Sequence, residues 1–140
     1  MKILFLTFYY PPDQTPGAFR SNSLVKQLLM KNTKAEINIL TSTPNRYKSY
    51  KPNQDSVYED NLTNIERIYV RPHTGRFFDQ AVSYIYFVFG VLKQVKNRDY
   101  DIVFATSSRL MTAVLGTYIA RQKKAPAYID IRDIFLDTIK

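Results

Sequence analysis

The stretch KILFLTF at residues 2–8 is a continuous apolar run, which predicts a strand that is buried on both of its faces. The loop that follows it, YYPPDQTPG at residues 9–17, is rich in proline and ends in a glycine. From Ala18 to Asn32 apolar residues recur at spacings of three and four, which is typical of a helix. A strand, a loop and a helix in this order predict the first half of a β-α-β unit.

The rest of the chain continues the same alternation. Further strands are predicted around Ile37–Thr41, at Asp101–Ala105 and at Ala127–Ile131, and helices over Asp79–Arg98 and Met111–Arg121. Ser42–Ser56 is polar and predicts a long loop, and Tyr58–Arg71 predicts a short hairpin that turns near Asp60-Asn61 and buries Ile68 and Val70. Alternating strands and helices predict an α/β fold, with a doubly wound, mostly parallel sheet and helices on both faces.

The helix predicted over Asp79–Arg98 is apolar around most of its circumference. One face is formed by Val82, Ile85, Phe89 and Leu92, and the other by Tyr84, Phe87, Val88, Val91 and Val95. Such a helix must be covered on both sides. We expect the sheet to cover one face, and a further partner to cover the other.

Composition excludes several classes of function. The chain has 140 residues, of which 45% are apolar, with no cysteine and one histidine. A chain of this size can fold as one domain without a disulfide or a metal. The missing cysteines exclude thiolate catalysis and cysteine zinc sites, and a single histidine argues against a histidine-rich metal site. We therefore expect no metal, and we interpret His73 as a surface residue.

The net charge narrows the choice of partner. It is +8, from 20 basic and 12 acidic residues, and it fits nucleic acid, a phosphorylated ligand or an acidic membrane surface. Because the basic residues are scattered over loops and helix ends, nucleic-acid binding is not expected. The longest uncharged stretch, Gln80–Leu92, is shorter than the roughly 18 residues that span a bilayer. We expect a cytoplasmic protein, or one attached peripherally to the inner face of the cell membrane.

Ligands of doubly wound sheets bind beyond the carboxyl ends of the strands, so the loops that follow strands are the candidate sites. After the first strand, Gly17 lets an anion approach backbone N–H groups at a helix N-terminus, and Arg20 lies one turn further on. A plain helix start with a solvated arginine is the alternative. The loop has neither a G-x-G-x-x-G fingerprint nor a Walker A lysine, which argues against a dinucleotide oxidoreductase or an ATPase.

Three later loops offer further candidates, each with a structural alternative. The stretch 41–51 interleaves tyrosines with basic residues, which suits stacking on sugars or bases, or a solvated loop. Ser107 or Ser108 could face a ligand or cap the next helix. In Asp130-Ile131-Arg132-Asp133, two carboxylates flank an arginine at a strand end, which suits catalysis or a structural salt bridge of Arg132.

Taken in order, these segments resemble the N-terminal domain of bacterial GT-B glycosyltransferases of the retaining, group 1 type. The amino-sugar transferases of O-antigen and capsule assembly are the most similar members. The resemblance rests on Lys2-Ile3-Leu4, Phe8 to Pro12, Gly17-Ala18, Arg20, Leu40-Thr41, Pro44-Asn45, Asp101 to Ser107, Ala125-Pro126 and Ile131-Arg132-Asp133-Ile134. The chain departs from the family in having a lone Gly17 for a glycine pair, and Phe135-Leu136 for Trp-Pro.

The resemblance implies a Rossmann-like sheet that is one half of a two-domain enzyme, with the active site between the domains. The N-terminal half contacts the acceptor, and the C-terminal half binds the nucleotide-sugar through an E-x7-E motif. That motif is missing here, because Glu59 and Glu66 lie one residue too close. We therefore expect residues 1–140 to be a single acceptor-side domain without its donor-binding domain, inactive alone and needing no metal or cofactor.

The resemblance also implies roles for individual residues. Asp133 is expected to be catalytic, Gly17, Ala18 and Arg20 to contact the donor phosphate, and Tyr10, Asn45, Tyr47, Ser107 and Arg132 to bind the acceptor. The expected partners are a nucleotide-sugar, a lipid-linked saccharide acceptor of surface polysaccharide synthesis and an anionic membrane, which the basic loops and a helix face at Phe87 and Val91 would contact. The alternative is a non-catalytic doubly wound module that binds a ligand or regulates.

Overall fold

The computed structural model of the protein describes residues 1–32, 34–44, 63–71, 77–107 and 109–131. These residues form five strands and three helices: β1 (Lys2–Leu6), α1 (Pro16–Lys31), β2 (Glu36–Ser42), β3 (Thr63–Ile68), α2 (Phe77–Val95), β4 (Ile102–Thr106), α3 (Leu110–Lys123) and β5 (Ala127–Asp130). Every predicted helix and the four strands outside the predicted hairpin are present, with ends that shift by a few residues.

The strands form one parallel sheet in the order β3-β2-β1-β4-β5. The chain leaves β1 towards β2 on one side and returns to β4 on the other, so the order reverses between β1 and β4. The predicted doubly wound α/β fold is thereby confirmed. All five carboxyl ends lie at one edge of the sheet, which we call the carboxyl edge.

Two cores lie on opposite faces of the sheet and share β1. On one face α1 packs with Val25 over Ile3, Phe5 and Ile39, and the rings of Phe5 and Phe104 stack at 5.0 Å. On the other face α2 and α3 cover a larger core: Leu4, Leu6, Phe8, Leu40, Val70, Phe87, Val91, Val103, Leu115 and Ile119. The continuous apolar run of β1 is explained by this arrangement, because neither of its faces meets solvent.

The predicted hairpin is wrong over the residues that are described. Thr63–Ile68 forms β3, which pairs in parallel with β2 from Ile37↔Thr63 to Ser42↔Ile68 and is an edge strand. Alternation along a strand shows which side chains are buried, but it does not show which strand becomes the partner. Ile68 and Val70 are buried as predicted, and the expected turn at Asp60-Asn61 lies outside the described residues.

The two apolar faces of α2 are both real, but the assignment of Phe87 and Val91 to the outer face is wrong. These two side chains are fully buried against the sheet, whereas Ile85 and Phe89 are exposed by 52% and 69%. A Cβ on Gly90 would lie 2.2 Å from Cγ2 of Ile68, so the glycine allows α2 to approach β3 closely on this side. The apolar face of α2 at Ile85 and Phe89 is therefore not covered by the described residues, and the partner expected to cover it stays a prediction.

Candidate functional site

The loop after β1 is anchored to both neighbouring elements. Tyr10 is buried, and its hydroxyl donates a hydrogen bond to Oδ1 of Asn22 on α1 at 3.2 Å. Burial raises the pKa of Tyr10 to about 12, and the Arg67 guanidinium partly opposes that rise. From β3, Arg67 donates to the carbonyl oxygen of Pro11. The loop is thus held between α1 and β3, and the acceptor contact expected of Tyr10 stays a prediction.

The first turn of α1 lies at the carboxyl edge, as expected of an anion-binding helix start. The N-cap is Thr15, whose hydroxyl accepts a hydrogen bond from the Ala18 N–H at 3.0 Å, and Pro16 occupies the first helical position. Gly17 and Ala18 therefore lie within the first turn, two residues earlier than the periodicity of apolar residues indicated. Their predicted contact with a donor phosphate is untested.

Three buried hydroxyls join the elements on either side of the point where strand order reverses. Thr106 of β4 donates to Thr7, after β1, with 3.0 Å between the two Oγ1 atoms, and Thr7 Oγ1 lies 3.3 Å from the hydroxyl oxygen of Ser21 on α1. Ser21 in turn donates to the carbonyl oxygen of Gly17 at 2.8 Å. The chain of hydroxyls fixes the first turn of α1 relative to the ends of β1 and β4, which is where doubly wound sheets bind ligands.

Arg20 is held at the carboxyl edge by Asp130, the last residue of β5. The guanidinium makes two bonds to the carboxylate, from Nε to Oδ2 at 3.1 Å and from Nη2 to Oδ1 at 2.7 Å. These bonds raise the pKa of Arg20 above its usual value. The side chain of Arg20 is 56% exposed and that of Asp130 is 10% exposed, so the arginine faces solvent while the carboxylate anchors it.

The structure adds Arg109, a residue of the loop after β4 that was not predicted as a site residue. Its guanidinium lies 4.2 Å from the ring centroid of Phe8 and donates from Nη2 to the hydroxyl of Tyr9 at 3.2 Å. Among the residues that the structure describes, no carboxylate lies within ion-pair distance of Arg109. A half-buried cation with aromatic support and no ion-pair partner in that set is suited to an anionic ligand.

The capping alternative for Ser107 is wrong. The N-cap of α3 is Arg109, which makes no side-chain capping bond, and Ser107 is buried one position beyond β4. Its backbone N–H donates to the carbonyl oxygen of Asp130 at 2.9 Å, which continues the ladder between β4 and β5. Ser107 is thus brought to the same strand ends as Asp130, and its contact with an acceptor stays a prediction.

Several predicted residues lie outside the described part of the chain. They are Asn45, Tyr47, Arg132 and Asp133, together with His73 and Ser108. Within the described part no group of three or more metal-ligating side chains converges, and none of its helices is both long and apolar enough to cross a bilayer. The structure therefore brings Gly17, Ala18, Arg20 and Ser107 to one edge, with Tyr10 packed beneath the loop.

The sheet order and the position of these groups define a doubly wound, all-parallel α/β domain with the fold found in glycosyltransferases. Among solved structures, the chain is similar to a UGT transferase from Siraitia grosvenorii in complex with UDP, with a TM-score of 0.57 and 12% sequence identity. The alignment covers 91% of this chain and 27% of that one, so the chain spans little more than a quarter of that transferase. No family model and no curated protein matches the sequence. At this identity the likeness shows the fold, and at that level the resemblance drawn from the sequence is confirmed.

Proposed function

We propose that the chain is the acceptor-side domain of a glycosyltransferase, which moves a sugar from a nucleotide-sugar to a saccharide acceptor. The observation that carries this proposal is the alignment of 91% of the chain with a UDP-bound transferase. A second Rossmann-like domain with an E-x7-E motif would bind the nucleotide-sugar. The bacterial, group 1 resemblance of the sequence supports the finer assignment to surface polysaccharide synthesis with a lipid-linked acceptor, in the cytoplasm or at the inner face of the membrane.

The charged groups at the carboxyl edge support this proposal. Departure of a nucleoside diphosphate leaves negative charge, which fixed cations and helix N-terminal amides stabilise without reorganisation. Arg20 lies one turn into α1 and is oriented by Asp130, and Arg109 is oriented by Phe8 and Tyr9. Asp133, three residues beyond Asp130, is the proposed polar contact to the acceptor hydroxyl.

The test is transfer of a labelled sugar from UDP-sugars to saccharide and lipid-linked saccharide acceptors. The 140-residue chain should show no turnover alone, and turnover should appear when a polypeptide with the second domain is supplied. In that complete enzyme Asp133→Ala should lower turnover strongly while the melting temperature stays unchanged. Robust turnover by the chain alone would contradict the two-domain assignment.

A non-catalytic ligand-binding module is the competing function. This function is favoured by the hydrogen bonds that the polar groups at the carboxyl edge make with one another. Arg20 makes two bonds to Asp130, and the three buried hydroxyls bond to each other. The same assay distinguishes the two functions. Tight binding of a small ligand by the chain, with no transfer even by the complete pair, would establish the binding module and overturn the transferase.

A further inference from the structure

Two buried hydroxyl groups lie close together between the N-terminal halves of α2 and α3. Thr112 belongs to the first turn of α3 and is fully buried, and the hydroxyl oxygen of Tyr84 on α2 is also shielded from solvent. Neither oxygen makes a hydrogen bond with the residues that the structure describes. A buried hydroxyl that makes no hydrogen bond destabilises a fold, so two of them side by side point to a role other than packing.

A cation lies beside the two hydroxyls. Burial raises the pKa of Tyr84 to about 12, and the nearby Thr112 hydroxyl and Arg109 guanidinium oppose that rise. Arg109 donates to the Tyr9 hydroxyl at 3.2 Å and to the carbonyl oxygen of Gln80 on α2 at 3.5 Å. These bonds occupy only part of the donor set of a guanidinium. We call the group formed by Tyr84, Thr112 and Arg109 the α2–α3 cluster.

The start of α3 adds positive potential to the cluster. Arg109 is the N-cap residue of this helix and makes no side-chain capping bond. The first N–H groups of a helix have no acceptor within the helix, and its dipole places partial positive charge there. Over the described ranges no carboxylate forms an ion pair with Arg109. The cluster therefore offers hydroxyl hydrogens, guanidinium N–H groups and a helix N-terminus to a ligand, with no negative charge to oppose them.

We propose that the α2–α3 cluster binds a phosphoryl group. Such a group carries several strong acceptor oxygens and a charge close to −2 at neutral pH, so it matches both hydroxyls, the guanidinium and the helix start together. A neutral saccharide hydroxyl would leave the charge of Arg109 uncompensated. Arg109 is half-buried and has a long, flexible side chain, whereas the hydroxyls are covered, so we expect the guanidinium to move with the bound anion and uncover them.

The source of the phosphoryl group is a separate question. A nucleotide-sugar and a diphosphate-linked acceptor both carry one. Choosing between them rests on the proposed function, but binding of a phosphoryl group does not.

The first test is calorimetric titration of the 140-residue chain with inorganic phosphate at about pH 8, where the dianion predominates. Saturable binding is expected below about 10 mM phosphate. Arg109→Gln should weaken it by about tenfold or more, because hydrogen bonds to charged groups are the strong ones. Arg121→Gln, on an exposed position of α3, should not weaken it. A chain that binds no phosphate in this range would overturn the proposal.

The two hydroxyls provide the sharpest variants, because affinity and stability should change in opposite directions. Tyr84→Phe and Thr112→Val nearly keep the size of each side chain and remove a buried hydroxyl that makes no hydrogen bond in the described structure. Each variant should melt at the temperature of the wild type or above it, yet bind phosphate about tenfold more weakly. Unchanged affinity in both variants would show that the hydroxyls serve packing alone, and would overturn the proposal.

Matched controls lie on the same two helices. Tyr86→Phe on α2 and Thr117→Val on α3 remove exposed hydroxyls outside the cluster, so both should bind phosphate as the wild type does. Weakening by a control that equals the weakening by the cluster variant on its helix would overturn the location of the site.

Competition identifies the source of the phosphoryl group. Displacement of phosphate at lower concentrations of UDP than of geranyl diphosphate, a short polyprenyl diphosphate, assigns the site to the donor, and the reverse order assigns it to the acceptor. Displacement by neither would overturn any link to the reaction. If the complete enzyme transfers sugar but the chain binds no phosphate, the α2–α3 cluster alone is overturned. If the chain binds phosphate but the complete enzyme transfers no sugar, the proposed function alone is overturned.

Discussion

Arg109 is the residue whose position best supports the proposed binding of an anion. Its guanidinium stacks 4.2 Å from the Phe8 centroid, and the Tyr9 hydroxyl accepts from Nη2 at 3.2 Å, so the cation is oriented before any ligand arrives. Arg109→Ala should lower kcat/KM of the complete enzyme by tenfold or more, since a fixed charge of this kind contributes about 1–3 kcal/mol. Steady-state kinetics with a water-soluble acceptor would measure this.

Conservative replacement tests whether orientation matters as well as charge. Arg109→Lys keeps the charge but loses the planar fork and the ring stacking, so it should recover only part of the activity. Arg121→Ala, on an exposed position of α3, is the matched control and should have no effect with that acceptor. Full activity in Arg109→Ala would remove this residue from the site.

Arg20 and Asp130, which are joined by two hydrogen bonds, should act as one unit. If Asp130 orients Arg20, then removing either partner removes the same oriented cation, and the second substitution adds little. Arg20→Ala, Asp130→Asn and the double variant should therefore lower kcat/KM by similar factors. A double-mutant cycle in the complete enzyme measures the coupling, and additive losses would show that the two residues act independently.

Helix α3 packs very closely on β4 where Gly116 faces Ala105. A Cβ on Gly116 would lie 2.4 Å from the Cβ of Ala105, an atom that no rotamer change can move away. Gly116→Ala should therefore destabilise the fold by about 1–3 kcal/mol through overpacking, although alanine gains about 1 kcal/mol in helix propensity. Urea unfolding followed by circular dichroism provides the measurement.

The same contact predicts a rescue. Ala105→Gly removes the obstructing atom, so the pair of substitutions should cost less than the sum of the single ones. Thr117→Ala, at the exposed position next to Gly116, should change stability by no more than about 0.5 kcal/mol. If Gly116→Ala matched that control, the close approach would not limit the packing of α3.

The end of α2 is tied to the sheet through Glu66 of β3. Burial alone would raise the pKa of Glu66, but hydrogen bonds from Arg98 and from Nδ2 of Asn38, at 2.9 Å, outweigh it and hold the pKa below 4.5. A carboxylate with a depressed pKa stabilises the fold above its unfolded value, and that contribution is lost as the pH falls through the folded value. Stability should thus decline on acidification below about pH 5.

Replacing the carboxylate isolates this contribution. Glu66→Gln should be less stable than the wild type at neutral pH, and the difference should shrink as the pH falls to about 3. Arg98→Met, which removes the strongest donor, should flatten the same part of the curve. Urea midpoints across this range would measure both, and a parallel decline in Glu66→Gln and the wild type would exclude Glu66 as the titrating group.

The elements differ in how far the sequence could predict them, and the reason is the range of the interactions that decide each one. Burial of β1 on both faces follows from its own apolar residues, so the stretch KILFLTF was enough to predict it. The partner of β3 is a strand more than twenty residues away, and nothing local in Thr63–Ile68 names it. Apolar residues occupy both faces of α2, so their pattern does not show which face packs on the sheet. Gly90, beside Phe87 and Val91, is the residue that marks the packed face.

The location of the candidate site could be predicted from the sequence, but the contacts among its residues could not. Parallel strands bring their carboxyl ends to one edge, so Gly17, Arg20 and Ser107 were found by their positions after strands. The partner of Arg20 is Asp130, separated from it by 110 positions, and no pattern in the sequence joins them. Arg109 was missed as a binding residue because its aromatic support comes from Phe8 and Tyr9, in a different loop.

At the scale of the whole molecule, β1 couples the two cores. Its side chains alternate between them, with Leu4 and Leu6 in the core under α2 and α3, and Ile3 and Phe5 in the core under α1. Neither core can lose its packing while β1 stays in place for the other, so the described part of the chain should unfold as one unit.

The chain should therefore unfold in urea in a single transition, with a free energy of unfolding of about 5–15 kcal/mol. Helix content by circular dichroism and emission from its 11 tyrosines, in a chain without tryptophan, should change together. Phe5→Ala leaves a cavity in the core under α1, and Leu6→Ala leaves one in the opposite core. Each should lower the free energy of unfolding by about 2–5 kcal/mol, and both signals should give the same loss. Two separated transitions would show that the cores are independent. Cooperative unfolding of this domain by itself would agree with the proposed function, in which a catalytic cleft forms between two separately folded halves.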